Sequence, residues 1–426
     1  MTQKKITVAI VGLGSRGNAY ASSIKLLPDK FEIVAVSDII PEKMERFAKN
    51  YGIPPEGCYP SAEALLEQDR LADVLFICTM DRQHYGHAIP ALMKDYHLVL
   101  EKPASNDPKE CMEIARVANE RNRHVVVCHV LRYTPYFRKV KEIMDSGVLG
   151  KIYSISASES VGFWHQAHSF VRGNWRNSDE TSPMILQKCC HDMDILLWLT
   201  GKHCKSVSSF GSLSHFKREC APEGAPDRCS EECPAYADCP YSIERYLHFA
   251  REGCYGWPLD VVSPAANYDD FRRDLMAGPY SRCVYKCDNN VVDHQVVNLL
   301  LDDDLTVNFT MCAFTSIPKG RGIHVMGTKG DLMSYSDDDK ITVSHFGQGI
   351  ETKEEITYDA AFDQFGHGGG DYVLVKDLYE LLSGNAPDSV TSINDSIESH
   401  IVCMAAEKSR VEGGALVTIE DYKKTL

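Results

Sequence analysis

A strand, a glycine-rich turn and a helix follow one another at the start of this chain of 426 residues, and no other feature constrains the fold as strongly. The largely apolar run Ile6–Val11 is typical of a buried strand, and it leads directly into residues 12–17, a Gly-x-Gly-x-x-Gly sequence. A helical pattern continues to about Leu27, a second strand covers residues 31–36, and Asp38 lies just beyond it. This order predicts a strand–helix–strand unit of a parallel sheet.

Each residue type in this unit suits the binding of a dinucleotide. Gly12 permits the tight turn, Gly14 lets the backbone approach a pyrophosphate, and Gly17 lets the helix pack on the strand. The start of the helix offers unpaired N–H groups and a positive dipole end to phosphates. A carboxylate at Asp38 accepts hydrogen bonds from ribose hydroxyls and repels a 2′-phosphate, so NAD is favoured over NADP. The phosphate-binding turn that we predict consists of Gly12, Gly14, Ser15, Arg16 and Gly17.

The first 128 residues continue to alternate between strand and helix patterns. The predicted strands are 71–78, 97–100 and 124–128, and the predicted helices are 84–93 and 108–122. Such alternation is typical of a doubly wound parallel sheet with right-handed crossovers, the Rossmann arrangement. Ligands in such sheets bind beyond the carboxyl ends of the strands, where Thr79 and Glu101–Lys102 are expected to lie beside the glycine turn.

The pattern changes after Cys128, which divides the chain into predicted domains 1–128 and 129–426. A helix over 136–146 precedes alternating runs that predict a large, mostly antiparallel open sheet, so the second domain is also of the α/β class. A sheet with one open face predicts a homo-oligomer, a dimer or a tetramer. The predicted strands cover 151–161, 207–214, 291–301, 305–314, 323–335 and 340–346, and the closing helices cover 371–382 and 395–410.

The composition narrows the choice of partners. Sixty acidic and 45 basic residues give a net charge of -15, which excludes an attraction to nucleic acid or to an anionic membrane surface. The first strand begins at Ile6, so we expect no signal peptide, and no apolar run is long enough to span a bilayer. We therefore expect a cytoplasmic protein that acts on small molecules.

Two further stretches carry residues that suit proton transfer and substrate binding. Lys102 lies in Glu101-Lys102-Pro103, directly after the fourth predicted strand, although this triplet by itself also fits an ordinary strand-ending turn. On a helix opened by Pro183, Gln187 and His191 share one face, and Lys188 is a neighbour of His191. Trp175 and Arg176 lie just upstream, and they fit either a sugar- and carboxylate-binding pair or a buried tryptophan with a surface arginine.

Together these stretches resemble the Gfo/Idh/MocA family of oxidoreductases over nearly the whole chain. The points of resemblance are the glycine turn, Asp38, the stretch from Thr79 through His84 to His87, Glu101-Lys102-Pro103, and His191 with Asp194 before Trp198 and Gly201. The resemblance implies a Rossmann domain and an α/β domain, a nicotinamide cofactor and hydride transfer at a carbon of a sugar or polyol. It also implies that Thr79, His84, Glu101 and Lys102 contact the cofactor, that Lys102 is catalytic, and that His191 is the active-site histidine.

One departure from the family pattern concerns the partner of that histidine. The family often has an acid four residues before the histidine, whereas this chain has Gln187 followed by Lys188. The proton relay and the substrate therefore stay open. The functional hypotheses are an NAD-dependent dehydrogenase of a carbohydrate, an NAD-dependent glycosidase that oxidises a ring carbon transiently, and a non-catalytic dinucleotide sensor.

A cysteine-rich insertion over residues 215–290 has no counterpart in this scheme. Cys229, Cys233 and Cys239 lie close together in a stretch with weak periodicity, and Cys220, Cys254, Cys283, Cys287 and His215 are candidates for a fourth ligand. Three neighbouring thiols in a reducing compartment suit a structural zinc ion, which we favour over an iron–sulfur cluster. Disulfides and unlinked thiols are the remaining alternatives.

Overall fold

The protein forms two β-sheets with helices packed against them. The structure, a computed structural model, describes residues 5–316, 320–347, 349–358, 367–385, 387 and 389–426. The strands are β1 Ile6–Val11, β2 Phe31–Ser37, β3 Cys58–Tyr59, β4 Val74–Ile77, β5 His97–Leu100, β6 Val125–Val127, β7 Ile152–Ser160, β8 Cys204–Ser212, β9 His294–Leu301, β10 Thr306–Cys312, β11 Arg321–Gly327, β12 Gly330–Tyr335, β13 Lys340–Phe346, β14 Glu351–Thr357 and β15 Val417–Thr418.

The helices vary from single turns to five turns, and most lie between strands. They are α1 Ser15–Lys25, α2 Pro41–Tyr51, α3 Ala62–Glu67, α4 His84–Met93, α5 Pro108–Glu120, α6 Pro135–Asp145, α7 Phe163–His165, α8 Met184–Gln187, α9 Cys190–Thr200, α10 Glu244–Arg251, α11 Leu259–Val262, α12 Tyr268–Ala277, α13 Gly370–Leu382, α14 Ile393–Val411 and α15 Ile419–Lys424. A π-type turn, Gln166–Arg172, directly follows α7. None of the described helices has the length and apolar character needed to cross a membrane.

The first sheet is parallel and contains six strands in the order β3-β2-β1-β4-β5-β6. Its strands are short runs rich in valine, isoleucine and leucine, and β4 is buried along its whole length because helices cover both faces. The order reverses between β1 and β4, which leaves a crevice at their carboxyl ends. The predicted doubly wound parallel sheet is confirmed.

The second sheet contains nine strands in the order β14-β13-β12-β11-β7-β10-β9-β8-β15. All neighbouring pairs in this sheet are antiparallel except β7 and β10, which are parallel. One face packs on a core that includes α6, α9 and α14. The other face leaves large apolar side chains exposed, among them Tyr153, Phe210, Leu300, Met333 and Phe346. The predicted open, mostly antiparallel sheet is therefore confirmed.

The last two long helices connect the sheets. α13 packs into the core on one face of the first sheet through Val373, Leu374 and Leu378. Ser392 caps the N-terminus of α14, because its hydroxyl accepts a hydrogen bond from the backbone N–H of Asp395. The helix packs on α5 and α9. The carboxyl ends of the first sheet thus face helices of the second domain.

Two segments outside the candidate site differ from the sequence-based prediction. The run 323–335 is a hairpin of β11 and β12 rather than one strand. The insertion between β8 and β9, in which the sequence shows only weak periodicity, contains α10, α11 and α12, which bury an apolar cluster around Tyr246 and Phe271. Its frequent Pro, Gly and Cys residues hid these short amphipathic helices.

Candidate active site

The glycine turn between β1 and α1 is shaped to receive a phosphate. Gly12 has a φ of +86°, and a Cβ placed on it would lie 2.6 Å from the carbonyl oxygen of Cys78. A Cβ on Gly17 would lie 2.3 Å from the carbonyl oxygen of Gly12, whereas one on Gly14 would meet no atom within 4 Å. Gly12 and Gly17 therefore close the turn, and Gly14 leaves open space above it.

The N-terminus of α1 adds a favourable field at the same place. Its N-cap residue is Gly14, which has no side chain to accept a hydrogen bond from the first N–H groups, and its first turn, beginning at Ser15, contains no acidic residue. Unpaired N–H groups and the positive end of the helix dipole therefore point towards the open space. The turn fits the pyrophosphate of a dinucleotide on both shape and charge.

Asp38 is fixed beside this turn by backbone groups. Its Oδ2 accepts a hydrogen bond of 2.7 Å from the N–H of Leu13, and its Oδ1 accepts one of 2.9 Å from the N–H of Ile40. The carboxylate is half-buried, and each oxygen keeps a second lone pair. The position and the remaining acceptors fit the ribose hydroxyls that the sequence assigns to it.

Thr79 and His84 connect the end of β4 to the loop that carries Lys102. The imidazole of His84 lies 3.0 Å from the carbonyl oxygen of Thr79 through Nε2 and 2.7 Å from that of Pro103 through Nδ1. Burial lowers the pKa of His84, so the ring is neutral and donates to one of these two carbonyls. His84 thus positions the Lys102–Pro103 segment, whose peptide bond is cis.

Arg16 and Glu101 are held mainly by each other. The Nε of Arg16 donates to Glu101 at 2.6 Å, and its Nη2 donates to Asp371 of α13, also at 2.6 Å. Burial raises the pKa of Glu101, but the Arg16 and Lys102 charges outweigh it and hold that pKa below its usual value. The guanidinium predicted to contact the cofactor therefore also ties α1 to β5 and α13.

Lys102 extends from the end of β5 towards the second domain. Its Nζ donates a hydrogen bond of 2.7 Å to the carbonyl oxygen of Gln187, and the residue is only partly exposed. This contact places the amine between the cofactor side of the first sheet and the segment that carries His191. The two stretches to which the sequence assigned proton transfer and substrate binding are therefore in contact.

The helix predicted to carry Gln187 and His191 is broken between them. α8 ends at Gln187, the backbone of Cys189 leaves the helical region with a ψ of 5°, and α9 starts at Cys190. The two side chains therefore do not share one continuous helical face, and that part of the prediction is wrong. The physical reason is a long-range contact, because the carbonyl of Gln187 accepts a hydrogen bond from Lys102 and no longer continues the helical ladder.

His191 is a buried, neutral imidazole close to Lys102. It is 8% exposed, and burial, followed by the charge of Lys102, lowers its pKa well below the ordinary value. Its Nδ1 has no hydrogen-bond partner among the residues that the structure describes. The ring is therefore unprotonated and keeps one buried nitrogen that no described residue uses.

A buried group of charges that sequence reasoning missed surrounds Lys188. Glu159 of β7 and Arg321 of β11 are direct cross-strand neighbours, and Arg321 contacts Glu159 at 3.0 Å and Asp192 at 2.7 Å. Lys188 contacts Glu159 at 3.2 Å. Burial raises the pKa of Asp192 to about 6, against the lowering effect of Arg321. No motif marks Glu159 or Arg321, because only the register of the sheet brings them together.

The predicted substrate-binding residues upstream already have partners within the chain. Arg176 forms two hydrogen bonds of 2.8 Å to Asp288, so a substrate carboxylate would compete with that side chain. The amide nitrogen of Gln187 donates to the carbonyl oxygen of Trp175 at 2.9 Å, and the indole of Trp175 packs against the core.

An exposed tryptophan that sequence reasoning also missed lies on the other side of the same region. The rings of Trp257 and His165 are 5.4 Å apart, and Trp257 is 54% exposed. Burial lowers the pKa of His165 to about 2, with Lys188 and Lys102 contributing, which places this ring within their electrostatic reach. The insertion therefore delivers an exposed aromatic surface close to the candidate site.

The structure does not support a zinc ion at Cys229, Cys233 and Cys239. Within the described ranges, no group of three His, Cys, Asp or Glu side chains is placed to hold a metal ion. The three thiols are unlinked and line a shared cavity.

Comparison with known families gives matches over both parts of the chain. Residues 6–129 match a family described as an oxidoreductase family with an NAD-binding Rossmann fold. Residues 141–416 match a second family model, which is described as the C-terminal alpha/beta domain of an oxidoreductase family.

Individual relatives are similar at low identity. The putative oxidoreductase YteT of Bacillus subtilis is 22% identical over 389 residues, which cover 87% of this chain and 88% of that protein. The inositol 2-dehydrogenase/D-chiro-inositol 3-dehydrogenase of Lactiplantibacillus plantarum is 25% identical over 213 residues, 49% of this chain and 57% of that protein. The WlbA dehydrogenase from Chromobactrium violaceum, solved with NADH and UDP-GlcNAcA, aligns with a TM-score of 0.66 at 17% identity, covering 98% and 97% of the two chains. This last likeness shows the fold.

Proposed function

The chain belongs to the Gfo/Idh/MocA family of oxidoreductases, and from this membership we propose that it is an NAD-dependent dehydrogenase of a neutral sugar, polyol or sugar derivative. The observation that carries the proposal is the contact of the Lys102 amine with the backbone of Gln187 beside the neutral His191. A lysine from the cofactor side and a histidine from the second domain then flank one substrate position.

Residues 1–128 hold the cofactor in this proposal, and residues 129–426 hold the substrate. The glycine turn and the N-terminus of α1 bind the pyrophosphate, Asp38 binds the adenosine ribose, and Thr79 and Glu101–Lys102 line the crevice at the strand ends. When bound there, NAD supplies the acceptor for a hydride. The chain itself holds the substrate and handles the proton.

Lys102 and His191 together remove the proton from the substrate hydroxyl. The Lys102 amine donates a hydrogen bond to the hydroxyl oxygen and stabilises the negative charge that develops there. The imidazole of His191 is kept neutral by burial and by the Lys102 charge, so it presents a free lone pair. Gln187, which replaces the acid common in the family, supplies its backbone oxygen to orient the lysine.

A neutral, hydroxyl-rich substrate fits the charges of the site. Lys188 and Arg321 are balanced by the carboxylates of Glu159 and Asp192. These carboxylates accept hydrogen bonds from substrate hydroxyls, whereas Arg176 is already paired with Asp288. The exposed ring of Trp257 offers a stacking surface for a sugar ring, a role that the sequence assigned to Trp175.

A homo-oligomer accounts for the outer face of the second sheet. Tyr153, Phe210, Leu300 and Met333 are exposed on four strands of this sheet, of which β8 and β9 are neighbours, and exposed apolar side chains on one sheet are typical of an interface between copies of one chain. We therefore propose a dimer or a tetramer assembled through this face.

The test is a screen of sugars, polyols and glycosides in which NADH absorbance and release of the aglycone are followed together. We expect NADH to accumulate in step with a keto product. Release of an aglycone without net NADH would identify a glycosidase that returns the hydride. NAD binding without any reaction would leave the protein a dinucleotide sensor and contradict the proposal.

A further inference from the structure

Four cysteines of the insertion line one cavity, although they come from two distant segments. Cys229, Cys233 and Cys239 share this cavity with Cys283. The backbone brings the two segments together, because the N–H of Cys229 donates to the carbonyl oxygen of Ser281 at 2.6 Å, and the N–H of Cys283 donates to that of Asp227 at 2.9 Å. The fourth thiol is therefore fixed against the other three by hydrogen bonds of the chain itself.

The thiol groups at this cavity are not cross-linked. All four are free cysteines, Cys229 is buried and the other three are partly exposed. Among the described residues, no group of three possible ligands is placed to hold a single metal ion. Four thiolates around one cavity match a cluster of several ions instead, in which each cysteine binds a different iron.

A buried positive charge faces the same cavity, and within the described ranges no carboxylate pairs with it. Arg172, at the end of the π-type turn Gln166–Arg172, lines the cavity and is 2% exposed. Its Nε and Nη2 donate to the backbone oxygens of Arg282 and Tyr241, both at 2.7 Å. Its Nη1 has no partner within the described part of the chain. A buried guanidinium that meets only neutral groups calls for an anionic ligand.

We propose that Cys229, Cys233, Cys239 and Cys283 bind a [4Fe–4S] cluster, with Arg172 as its buried counter-charge. A cluster with four thiolate ligands carries net negative charge, which the unused N–H groups of Arg172 stabilise by hydrogen bonds to sulfur. The cluster fastens the loop of residues 229–239 to Cys283 and to the turn before the candidate site. Because a cysteine binds every iron, no iron is left open to a substrate.

The test uses the full-length protein, purified without oxygen and without chelators, with iron and acid-labile sulfide measured per chain. We expect about four of each, a broad visible absorption that bleaches with dithionite, and a paramagnetic signal in the reduced state. Cys239→Ser should lower the iron content severalfold, whereas Cys254→Ser, an exposed cysteine of the same insertion outside the cavity, should keep it.

Two further measurements keep the proposal open to refutation. Arg172→Gln should retain iron but lower the reduction potential of the cluster. A cation beside the cluster favours the more negative reduced state, and the substitution removes that cation. If Cys239→Ser fails to fold, thiol alkylation of the wild type decides: four protected thiols that become reactive after iron removal support the cluster. One zinc per chain, two irons with two sulfides, or metal-free protein with all four thiols reactive would each overturn it.

Discussion

At the scale of single residues, the Asp38 carboxylate sets the choice of cofactor. Both of its oxygens accept backbone hydrogen bonds at the glycine turn, so the charge is fixed where the adenosine ribose would lie. We expect the wild type to bind NAD more tightly than NADP. Asp38→Ala should weaken NAD binding by roughly tenfold, the value of one hydrogen bond to a charged group, and narrow the difference between the cofactors.

Titration of tryptophan fluorescence with each dinucleotide measures this preference. Asp29→Ala, which removes an exposed acid from the turn before β2, serves as the control and should leave both affinities unchanged. Equal or tighter binding of NADP by the wild type would refute the role of Asp38.

Trp257 gives a second prediction for a single residue. Removing an exposed ring that stacks on a sugar should raise KM by roughly fivefold, because aromatic stacking contributes about 1 kcal/mol, while kcat changes little. Steady-state kinetics of Trp257→Ala with the best substrate of the screen measures both constants. Met93→Ala, a similarly exposed apolar side chain on α4, is the control. A fall in kcat at constant KM would show that Trp257 does not bind the substrate.

The residues that the sequence identified and those that it missed differ in how they are encoded. Gly12, Gly17 and Lys102 act through local geometry at strand ends, so a motif and a position in the chain were enough to find them. Glu159 and Arg321 are 162 positions apart and meet only because β7 and β11 pair in one register. No local pattern predicts such a pair.

At the scale of secondary-structure elements, the same reasoning separates what could be predicted. The helix His84–Met93 and the strand His97–Leu100 were predicted to the residue, because apolar periodicity and buried valine–leucine runs define them. The break between α8 and α9 was not predictable, since it depends on the contact of Lys102 with the Gln187 carbonyl across the domain boundary. The helices of the insertion were hidden by its composition.

The contact of α1 with α13 yields a prediction about stability. Asp371 is almost fully buried, and the Arg16 charge outweighs the effect of burial and lowers the pKa of this carboxyl far below its usual range. Asp371→Asn should lower the free energy of unfolding by about 2 kcal/mol. This loss is smaller than that for breaking a fully buried ion pair, because Arg16 is 26% exposed and still forms its ion pair with Glu101.

Denaturant unfolding of the two proteins measures the loss. Asp145→Asn removes one member of the exposed pair with Lys141 and should cost no more than about 0.5 kcal/mol. An Asp371→Asn protein as stable as the wild type would show that α13 is held to the first sheet by apolar packing alone.

At the scale of the whole molecule, several histidines are buried in the neutral form. Burial lowers the pKa of His97 to about 4 and that of His168 to about 3, and it also lowers the pKa values of His84, His129, His191 and His400. In the unfolded chain each ring takes up a proton near pH 6.5, so between that pH and the folded pKa the unfolded state binds more protons. The contribution of these neutral rings to the free energy of unfolding is therefore fully present above about pH 6.5 and decreases as the pH falls below that value.

Thermal unfolding at pH 7.5, 6.5 and 5.5 should show a Tm that falls on acidification, steeply below about pH 6.5. His168→Gln should flatten this dependence by removing one of the groups that must be protonated. Asp192 acts in the opposite direction, since its pKa is raised to about 6, but it is one group against several. A Tm that stays constant from pH 7.5 to 5.5 would contradict the neutral state of these rings.

The two sheets and the helices between them place the cofactor side and the substrate side of the molecule around Lys102. The proposed function therefore depends on one measurement, the rate of NADH formation by the wild type and by Lys102→Met at saturating NAD and substrate. We expect kcat to fall by about 100-fold or more in the variant because the amine acts on the reacting hydroxyl, while NAD binding persists because the glycine turn and Asp38 hold the pyrophosphate and the ribose. A Lys102→Met protein that forms NADH at the wild-type rate would contradict the proposed role of Lys102.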